Sequence, residues 1–371
     1  MSTATTLPAD ASSNGAASGR IDDIECLRAI AVIGVLLHHL QGPLYYWYPD
    51  WHPAWLGVLF KHLAYWSGVD LFFAISGFVI ARSLLPQLAA TAGDAGLQRK
   101  TVFAFWIRRA FRLLPSAWLW LALIMLAVLF FNKSGVFGTL HANLWATATG
   151  MANVANFRFA DSFMRYEYGA SFSYWTLSLE EQFYVLLPLA ALLLRRHLVW
   201  LLALLIVVQF VAMRTPLGMS VRTEALAWIS ADPNGATLNW RVGLIAILCV
   251  TLVWLASYGR GYICASGRLK NVLMWIGSRS YAIYLIHIPA YFFVRECFWR
   301  LGMAGNPPPA YSSFIYAATA MLVIFVLAEA NYRWVETPLR ARGMRLARRI
   351  LPRNAQADPP KDVPATTPIP L

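Results

Sequence analysis

The chain has 371 residues, of which 58% are hydrophobic and only 13% charged, and its mean hydropathy is +0.52. Soluble domains carry about 25% charged residues, so this composition excludes an ordinary soluble protein and predicts a polytopic membrane protein. The net charge of +13 comes from basic residues in short segments between apolar runs. This distribution follows the positive-inside rule and favours membrane lipid, rather than nucleic acid, as a partner. The four scattered cysteines and the seven histidines form no metal-ligand motif, so we expect no metal site.

The first apolar segment, Ile24–Gln41, follows a disordered N-terminal tail, residues 1–20, rich in small and hydroxyl residues. It contains Arg28 near its start and His39 near its end. At about 100° per residue, eleven positions bring the two side chains to within roughly 20° of one helix face, about 16 Å apart. Charge inside a membrane segment costs a few kcal/mol and by default marks function. The alternative is that both side chains reach the two interfaces by snorkelling.

The second apolar segment, Gly68–Leu85, contains a single acid, Asp70, which could cap the helix or pair with an arginine. The most basic loop of the chain follows it, and we place this loop, and therefore the N-terminus, in the cytoplasm. Arg109 and Arg112 lie at the end of that loop, three residues apart on one helix face, where the third span, Leu113–Phe131, is predicted to begin.

Two adjacent acids, Glu180 and Glu181, open the apolar segment Ser173–Leu189. One acid at a helix N-terminus acts as a cap, but two at a bilayer boundary suggest function or a salt bridge, for example to Arg222. Later spans are predicted at 197–213, 240–258, 271–299 and 311–332. The third of these contains Ser280 and Tyr284, which we assign to packing, and His287, which is either a second functional histidine or a packing residue that forms hydrogen bonds.

The predicted fold is an all-α, polytopic transmembrane helix bundle of about ten membrane helices. Eight spans are clear, and two less apolar segments, Gly138–Asn156 and one around Ala225, complete the number. The charge distribution places both termini in the cytoplasm. We expect a membrane domain over residues 21–340 and a cytoplasmic tail over 341–371 that is first basic and then proline-rich.

Six stretches occur in a characteristic order over roughly residues 21–342: LRAIAVIGVLLHH, GVDLFFAISGFVIARS, RRAFRLLP, YWTLSLEEQFYVLLP, SYAIYLIH and VETP. In this order they resemble the acyltransferase 3 family of polytopic bacterial membrane acyltransferases. The family's arginine–ten residues–histidine motif falls on Arg28 and His39, and its R-x-x-R motif on Arg109 and Arg112. Its tryptophan-serine-leucine, glutamate-glutamate-glutamine motif falls on 175–182, with Thr176 where serine is usual.

The resemblance implies an enzyme of the bacterial inner membrane that moves an acyl group, most simply acetyl, from acyl-CoA to a hydroxyl of a cell-surface or exported polysaccharide or its lipid-linked precursor. No permanently bound cofactor is expected. It also implies a stand-alone member without the extracytoplasmic hydrolase-like domain. Under this hypothesis the catalytic residues are His39 as base or acyl carrier, Arg28, Glu180 and Glu181. Arg109 and Arg112 bind the phosphates of acyl-CoA. Four further residues support the catalytic residues: His287, Tyr284, Ser280 and Asp70.

Two alternatives remain. The acceptor could be a secreted small molecule, such as a macrolide or a lipo-oligosaccharide. The chain could instead be a glycan transporter or flippase, which would also carry charges inside the membrane. A transporter should work without acyl-CoA, whereas an acyltransferase consumes it.

Overall fold

The computed structural model describes residues 21–40, 65–144, 169–194, 238–303 and 310–351, with isolated positions between 197 and 204. The secondary structure of these residues is helical, without strands, as predicted. The helices are α1 (Asp22–Leu40), α2 (Gly68–Ala90), α3 (Ala95–Phe130), α4 (Trp175–Leu193), α5 (Leu238–Ser257), α6 (Arg268–Ser278), α7 (Ser280–Arg300), α8 (Ala310–Asn331) and α9 (Thr337–Ile350). Short 3₁₀ turns, Tyr65–Ser67 and Gly169–Tyr174, precede α2 and α4, and a π-helical turn, Tyr332–Glu336, joins α8 to α9.

Three helical stretches of the described chain are long and apolar enough to cross a bilayer: Gly68–Ala90, Ala95–Phe130 and Phe314–Ile350. The prediction of a helical membrane protein is therefore confirmed. The total of about ten spans and the sidedness of the termini stay predictions. The segment around Ala225, Arg222, the N-terminal tail and the proline-rich end lie outside the described residues, as does most of the segment 138–156.

Helix α3 begins well before the predicted start of the third span at Leu113, so that predicted boundary was wrong. Asp94 is the N-cap, and its carboxylate accepts a hydrogen bond from the Leu97 amide at 2.9 Å. Hydropathy marks only the apolar half of this 36-residue helix. As a result, Arg109 and Arg112 lie inside a continuous helix and not at its beginning.

The predicted span 271–299 is two helices, α6 and α7, which meet at Arg279. A Cβ atom at Gly277 would lie 2.0 Å from the carbonyl oxygen of Glu25, so α6 approaches the backbone of α1 as only glycine allows. The Arg279 guanidinium is bonded to Glu329 at 2.5 Å. It also lies over the rings of Trp275, at 4.8 Å, and Tyr332, at 4.4 Å. These contacts fix the chain at the junction between α6 and α7.

Helix α1 lies at the centre of the described bundle and packs against α2, α5, α6 and α7. Its apolar side chains belong to two separate hydrophobic clusters in the core, one around Leu27 and one around Val32. Both of these side chains are almost completely buried. Helix α9 packs along α3, where Gly343 lies so close to the Phe111 side chain that a Cβ would be 2.4 Å from it. The domain boundary expected at 340 therefore falls inside a helix that is part of the bundle.

Candidate active site

Arg28 lies on α1 at the end of the bundle where α6 contacts that helix. Its Nη1 atom donates a hydrogen bond to Glu25 at 2.7 Å, and only 15% of its side chain is exposed. Besides Glu25, the charges of Arg112, Arg109 and Glu180 act on the Arg28 guanidinium. The structure thus brings together four of the predicted site residues from α1, α3 and α4.

Arg109 lies beside two aromatic rings that contact each other edge to face, with its guanidinium carbon 5.4 Å from the centre of Phe105 and 5.1 Å from that of Tyr184. Such cation–π contacts position the guanidinium without using its N–H donors. Within the described chain neither Arg109 nor Arg112 donates a hydrogen bond to another residue. The pair therefore offers donors at this end of the bundle.

The two acids lie one turn and more inside α4, whose N-cap is Tyr174, so the capping alternative for Glu180 and Glu181 was wrong. Glu180 accepts hydrogen bonds from Ser76 of α2, at 2.8 Å, and from the Tyr184 hydroxyl one turn along α4. The Oε2 atom of Glu181 is buried without a hydrogen-bond partner among the described residues. Among the described residues, no hydrogen bond joins Glu180 to His39.

His39 lies against His287 of α7. The two ring centres are 4.9 Å apart, and His39 Nδ1 is 3.2 Å from His287 Nε2 and 3.0 Å from the carbonyl oxygen of Val35. His287 is completely buried, and its Nδ1 is 2.6 Å from the carbonyl oxygen of Tyr284. The neighbouring His38, in contrast, is exposed. The two histidines that the sequence singled out separately are therefore direct partners.

The remaining three predicted residues have different surroundings. The Tyr284 hydroxyl is 2.7 Å from Thr176 Oγ1 and donates to the carbonyl oxygen of Ser173 at 3.0 Å. Ser280 is the buried first residue of α7. Asp70 lies in the first turn of α2 but is not its cap, because that position belongs to Ser67. No described cation lies within ion-pair distance of Asp70, so its predicted pairing with an arginine was wrong for this part of the chain.

Together these groups form a polar column along the inside of the bundle. At one end are Arg28, Arg109 and Arg112; Glu180 follows, then the Tyr284–Thr176 contact, and the His39–His287 pair closes the column. Arg28 and His39 share α1, so about 16 Å of helix separates the two ends. The column has the groups that anion binding and proton transfer require, arranged in sequence through an apolar protein.

Three partners were missed at the sequence level. Tyr184 lies four residues after Glu180 and Glu25 three before Arg28, spacings that place each pair on one helix face. Ser76 comes from another helix, so spacing does not reveal its bond to Glu180. Within the described ranges, no three histidine, cysteine or acidic residues lie close enough to bind a metal ion.

Comparison with known proteins identifies the family. The model of an acyltransferase domain matches residues 21–219, which is more than half of the chain. The chain belongs to the acyltransferase 3 family. The matched region includes Arg28, His39, the R-x-x-R pair and both glutamates, whereas His287 lies beyond it.

The chain is also similar to named O-acetyltransferases. It is 25% identical to O-acetyltransferase OatA of Staphylococcus aureus (strain NCTC 8325 / PS 47) over 87% of the chain and 57% of OatA. It is 26% identical to YrhL of Bacillus subtilis (strain 168), a proposed peptidoglycan O-acetyltransferase, over 89% of the chain and 56% of YrhL. The chain thus spans little more than half the length of these curated relatives. No solved structure matches it significantly.

Proposed function

We propose that this acyltransferase 3 protein is a membrane O-acyltransferase that moves an acetyl group from acetyl-CoA to a hydroxyl of a cell-surface or exported polysaccharide, or of its lipid-linked precursor. The observation that carries the proposal is the polar column from the arginine cluster to the histidine pair. The names of OatA and YrhL support O-acetyl transfer, and that of YrhL adds peptidoglycan to the candidate acceptors.

The arginine end of the column is suited to the donor. Coenzyme A carries phosphates, and the planar, forked guanidinium group binds phosphate through two parallel hydrogen bonds. Arg109 makes cation–π contacts with Phe105 and Tyr184, and within the described chain its N–H groups donate no hydrogen bond. We assign Arg109 and Arg112 to the donor phosphates and Arg28, paired with Glu25, to the same end of the donor. The thioester then extends along the column to His39, about 16 Å of helix away.

The histidine end is suited to the chemical step. In the direct form, the acceptor hydroxyl passes its proton to the imidazole of His39 while its oxygen attacks the thioester carbonyl carbon. The new C–O ester bond forms, the C–S bond breaks, and the imidazolium returns the proton to the CoA thiolate. In the second form, an imidazole nitrogen of His39 attacks the thioester carbonyl carbon, the C–S bond breaks and CoA leaves as the thiolate. The acceptor oxygen then attacks the acetylimidazole, the C–N bond breaks, and the hydroxyl proton goes to the thiolate. Glu181 has a buried carboxylate oxygen that can accept a hydrogen bond from a sugar hydroxyl.

The test uses purified protein in liposomes with radiolabelled acetyl-CoA and an oligosaccharide as the acceptor. Wild-type protein should release CoA, the His39→Ala variant should lose at least about 100-fold in rate, and the exposed neighbour variant His38→Ala should behave as wild type. CoA release of about one equivalent per protein without acceptor indicates the acetyl-histidine form. Wild-type turnover by His39→Ala would reject the assigned base.

The acceptor is tested in the encoding bacterium. Deletion of the gene should reduce O-acetyl signals in the NMR spectrum of a surface glycan, and the wild-type gene, but not His39→Ala, should restore them. An unchanged glycan spectrum together with active acetyl-CoA turnover would favour a secreted small molecule. Glycan movement across liposomes without acetyl-CoA would favour a transporter.

A further inference from the structure

The proposed reaction requires that one particular nitrogen of His39 carries a lone pair, and the neighbouring histidine decides which one. We propose that His287 is a positioning residue that fixes the tautomer of His39, so that the Nε2 atom of His39 is the base. The inference rests on the proposed role of His39 in acyl transfer, but the tautomer itself can be measured without any activity.

The hydrogen positions follow from the acceptors around His287. Its Nδ1 lies 2.6 Å from the carbonyl oxygen of Tyr284, and a carbonyl oxygen only accepts, so Nδ1 carries the hydrogen. A neutral imidazole has a single N–H, and two imidazolium ions in contact inside an apolar bundle would repel each other. The Nε2 atom of His287 therefore has a lone pair and acts as an acceptor.

The same argument extends to His39. Its Nδ1 is 3.2 Å from the His287 Nε2 lone pair and 3.0 Å from the carbonyl oxygen of Val35. Both neighbours are acceptors, so the single hydrogen of a neutral His39 lies on Nδ1 and is shared between them. The lone pair of His39 is then on Nε2, the ring nitrogen on the far side of the imidazole from Val35.

Two tyrosine hydroxyls, one turn before and one turn after His287 on α7, fix the position of this part of the helix. One turn before it, Tyr284 is bonded to the carbonyl oxygen of Ser173 at 3.0 Å and lies 2.7 Å from Thr176. One turn after it, the Tyr291 hydroxyl donates to the carbonyl oxygen of Leu36 on α1 at 3.2 Å. A ring that is completely buried and held in this way can select one tautomer of its partner, as outer-shell groups do for histidines elsewhere.

A pure packing role for His287 makes a different prediction. Packing needs the ring volume and the bond to the Tyr284 carbonyl, but it does not need an acceptor directed at His39. Two substitutions separate the roles. In His287→Asn the amide reaches only the position of Nδ1, so it keeps the bond to Tyr284 and loses the acceptor. In His287→Gln the longer amide places an oxygen near the position of Nε2 and restores it.

The experiment measures acetyl-CoA turnover of both variants in liposomes, with monodispersity and thermal unfolding recorded to show that each is folded. We expect His287→Asn to lower kcat about 10–100-fold, with the KM for acetyl-CoA unchanged because the arginine end of the column is intact. We expect His287→Gln to recover most of that loss. A wild-type kcat for His287→Asn, or equal losses in both variants, would overturn the positioning role.

A second measurement reads the tautomer directly. In protein labelled with ¹⁵N-histidine, the signal that disappears in the His39→Gln variant belongs to His39. At a pH where this ring is neutral, the wild type should show a protonated Nδ1, and His287→Asn should show a mixture of tautomers. A protonated Nε2 in the wild type would refute the inference. If the tautomer is as expected but His39→Ala remains active, the assignment of His39 as the base fails and the tautomer assignment stands.

Discussion

Thr176 Oγ1 and the hydroxyl of Tyr284 lie 2.7 Å apart, and this contact joins the first turn of α4 to α7. Both residues are buried, and the Tyr284 hydroxyl also donates to the carbonyl oxygen of Ser173. The contact accounts for the hydroxyl at the position where the acyltransferase 3 motif usually has serine. Either serine or threonine can supply the oxygen that meets the tyrosine.

This contact predicts that two substitutions of Thr176 differ in their effect on stability. Thr176→Ser keeps the hydroxyl, so its free energy of unfolding should lie within about 0.5 kcal/mol of the wild-type value. Thr176→Val keeps the shape but loses the hydrogen bond, so its free energy of unfolding should be about 1 kcal/mol lower. Equilibrium unfolding in detergent micelles measures both. Equal stability of the valine variant and the wild type would contradict the contact.

The arginine pair predicts a change in donor affinity. Arg112→Gln should raise the KM for acetyl-CoA about 10–100-fold, because a hydrogen bond to a charged group contributes about 1.5–3 kcal/mol. Arg99→Gln is the matched control, since Arg99 is exposed on the same helix and bonds only to its own backbone turn among the described residues. With acetyl-pantetheine, which has no phosphates, Arg112→Gln and the wild type should be alike. A defect of the same size with both donors would exclude a phosphate contact.

The close approach of α6 to α1 predicts a large loss of stability from one methyl group. Gly277→Ala places a Cβ 2.0 Å from the carbonyl oxygen of Glu25, and backbone must move to admit it. We expect a loss of about 3 kcal/mol in unfolding free energy. Gly77→Ala in α2 is the control, because a Cβ there meets no atom within 4 Å and alanine is the better helix former. Thermal unfolding that ranks the two variants in the reverse order would show that the helices do not approach in this way.

Glu181 predicts a defect that is restricted to the acceptor step. Glu181→Gln replaces one oxygen of the buried carboxyl group by an amide NH2 group and keeps its size, so it should weaken the hydrogen bond to a sugar hydroxyl. In a complemented deletion strain we expect at least a fivefold reduction in glycan O-acetyl content, about 1 kcal/mol in the acceptor step. CoA release by the purified variant without acceptor should be unchanged. If that release falls by the same factor, Glu181 acts on the donor instead.

The sequence predicts what depends on local periodicity. An all-helical membrane protein follows from composition, and the eleven-residue spacing places Arg28 and His39 on one face of α1. The residues that complete the site come from elsewhere in the chain: the charges of Arg112 and Glu180 lie near Arg28, and His287, 248 residues away, contacts His39. Nothing in a single sequence gives such distances, and only the family resemblance brought these positions together beforehand.

The two errors in helix boundaries have separate physical causes. Hydropathy detects the part of a helix that lipid surrounds, so it missed the basic first half of α3, which Asp94 caps. The break at Arg279 carries no proline or glycine at the junction itself. Contacts with other helices cause the break, because Gly277 packs against the backbone of α1 and Arg279 binds Glu329 of α8.

The close contact between Gly277 and the backbone of Glu25 also fixes where the residues that follow Gly277 lie. Ten residues farther on, His287 must arrive opposite His39, so the number of residues between the two contacts determines the phase of the ring. One inserted residue in α7 before His287 would rotate the imidazole by about 100° and carry it about 1.5 Å along the axis, away from its partner. A change in the length of this interval moves His287 away from His39 whatever residues it contains. Natural variants of this protein should therefore keep the number of residues between Gly277 and His287 constant even where the residues differ.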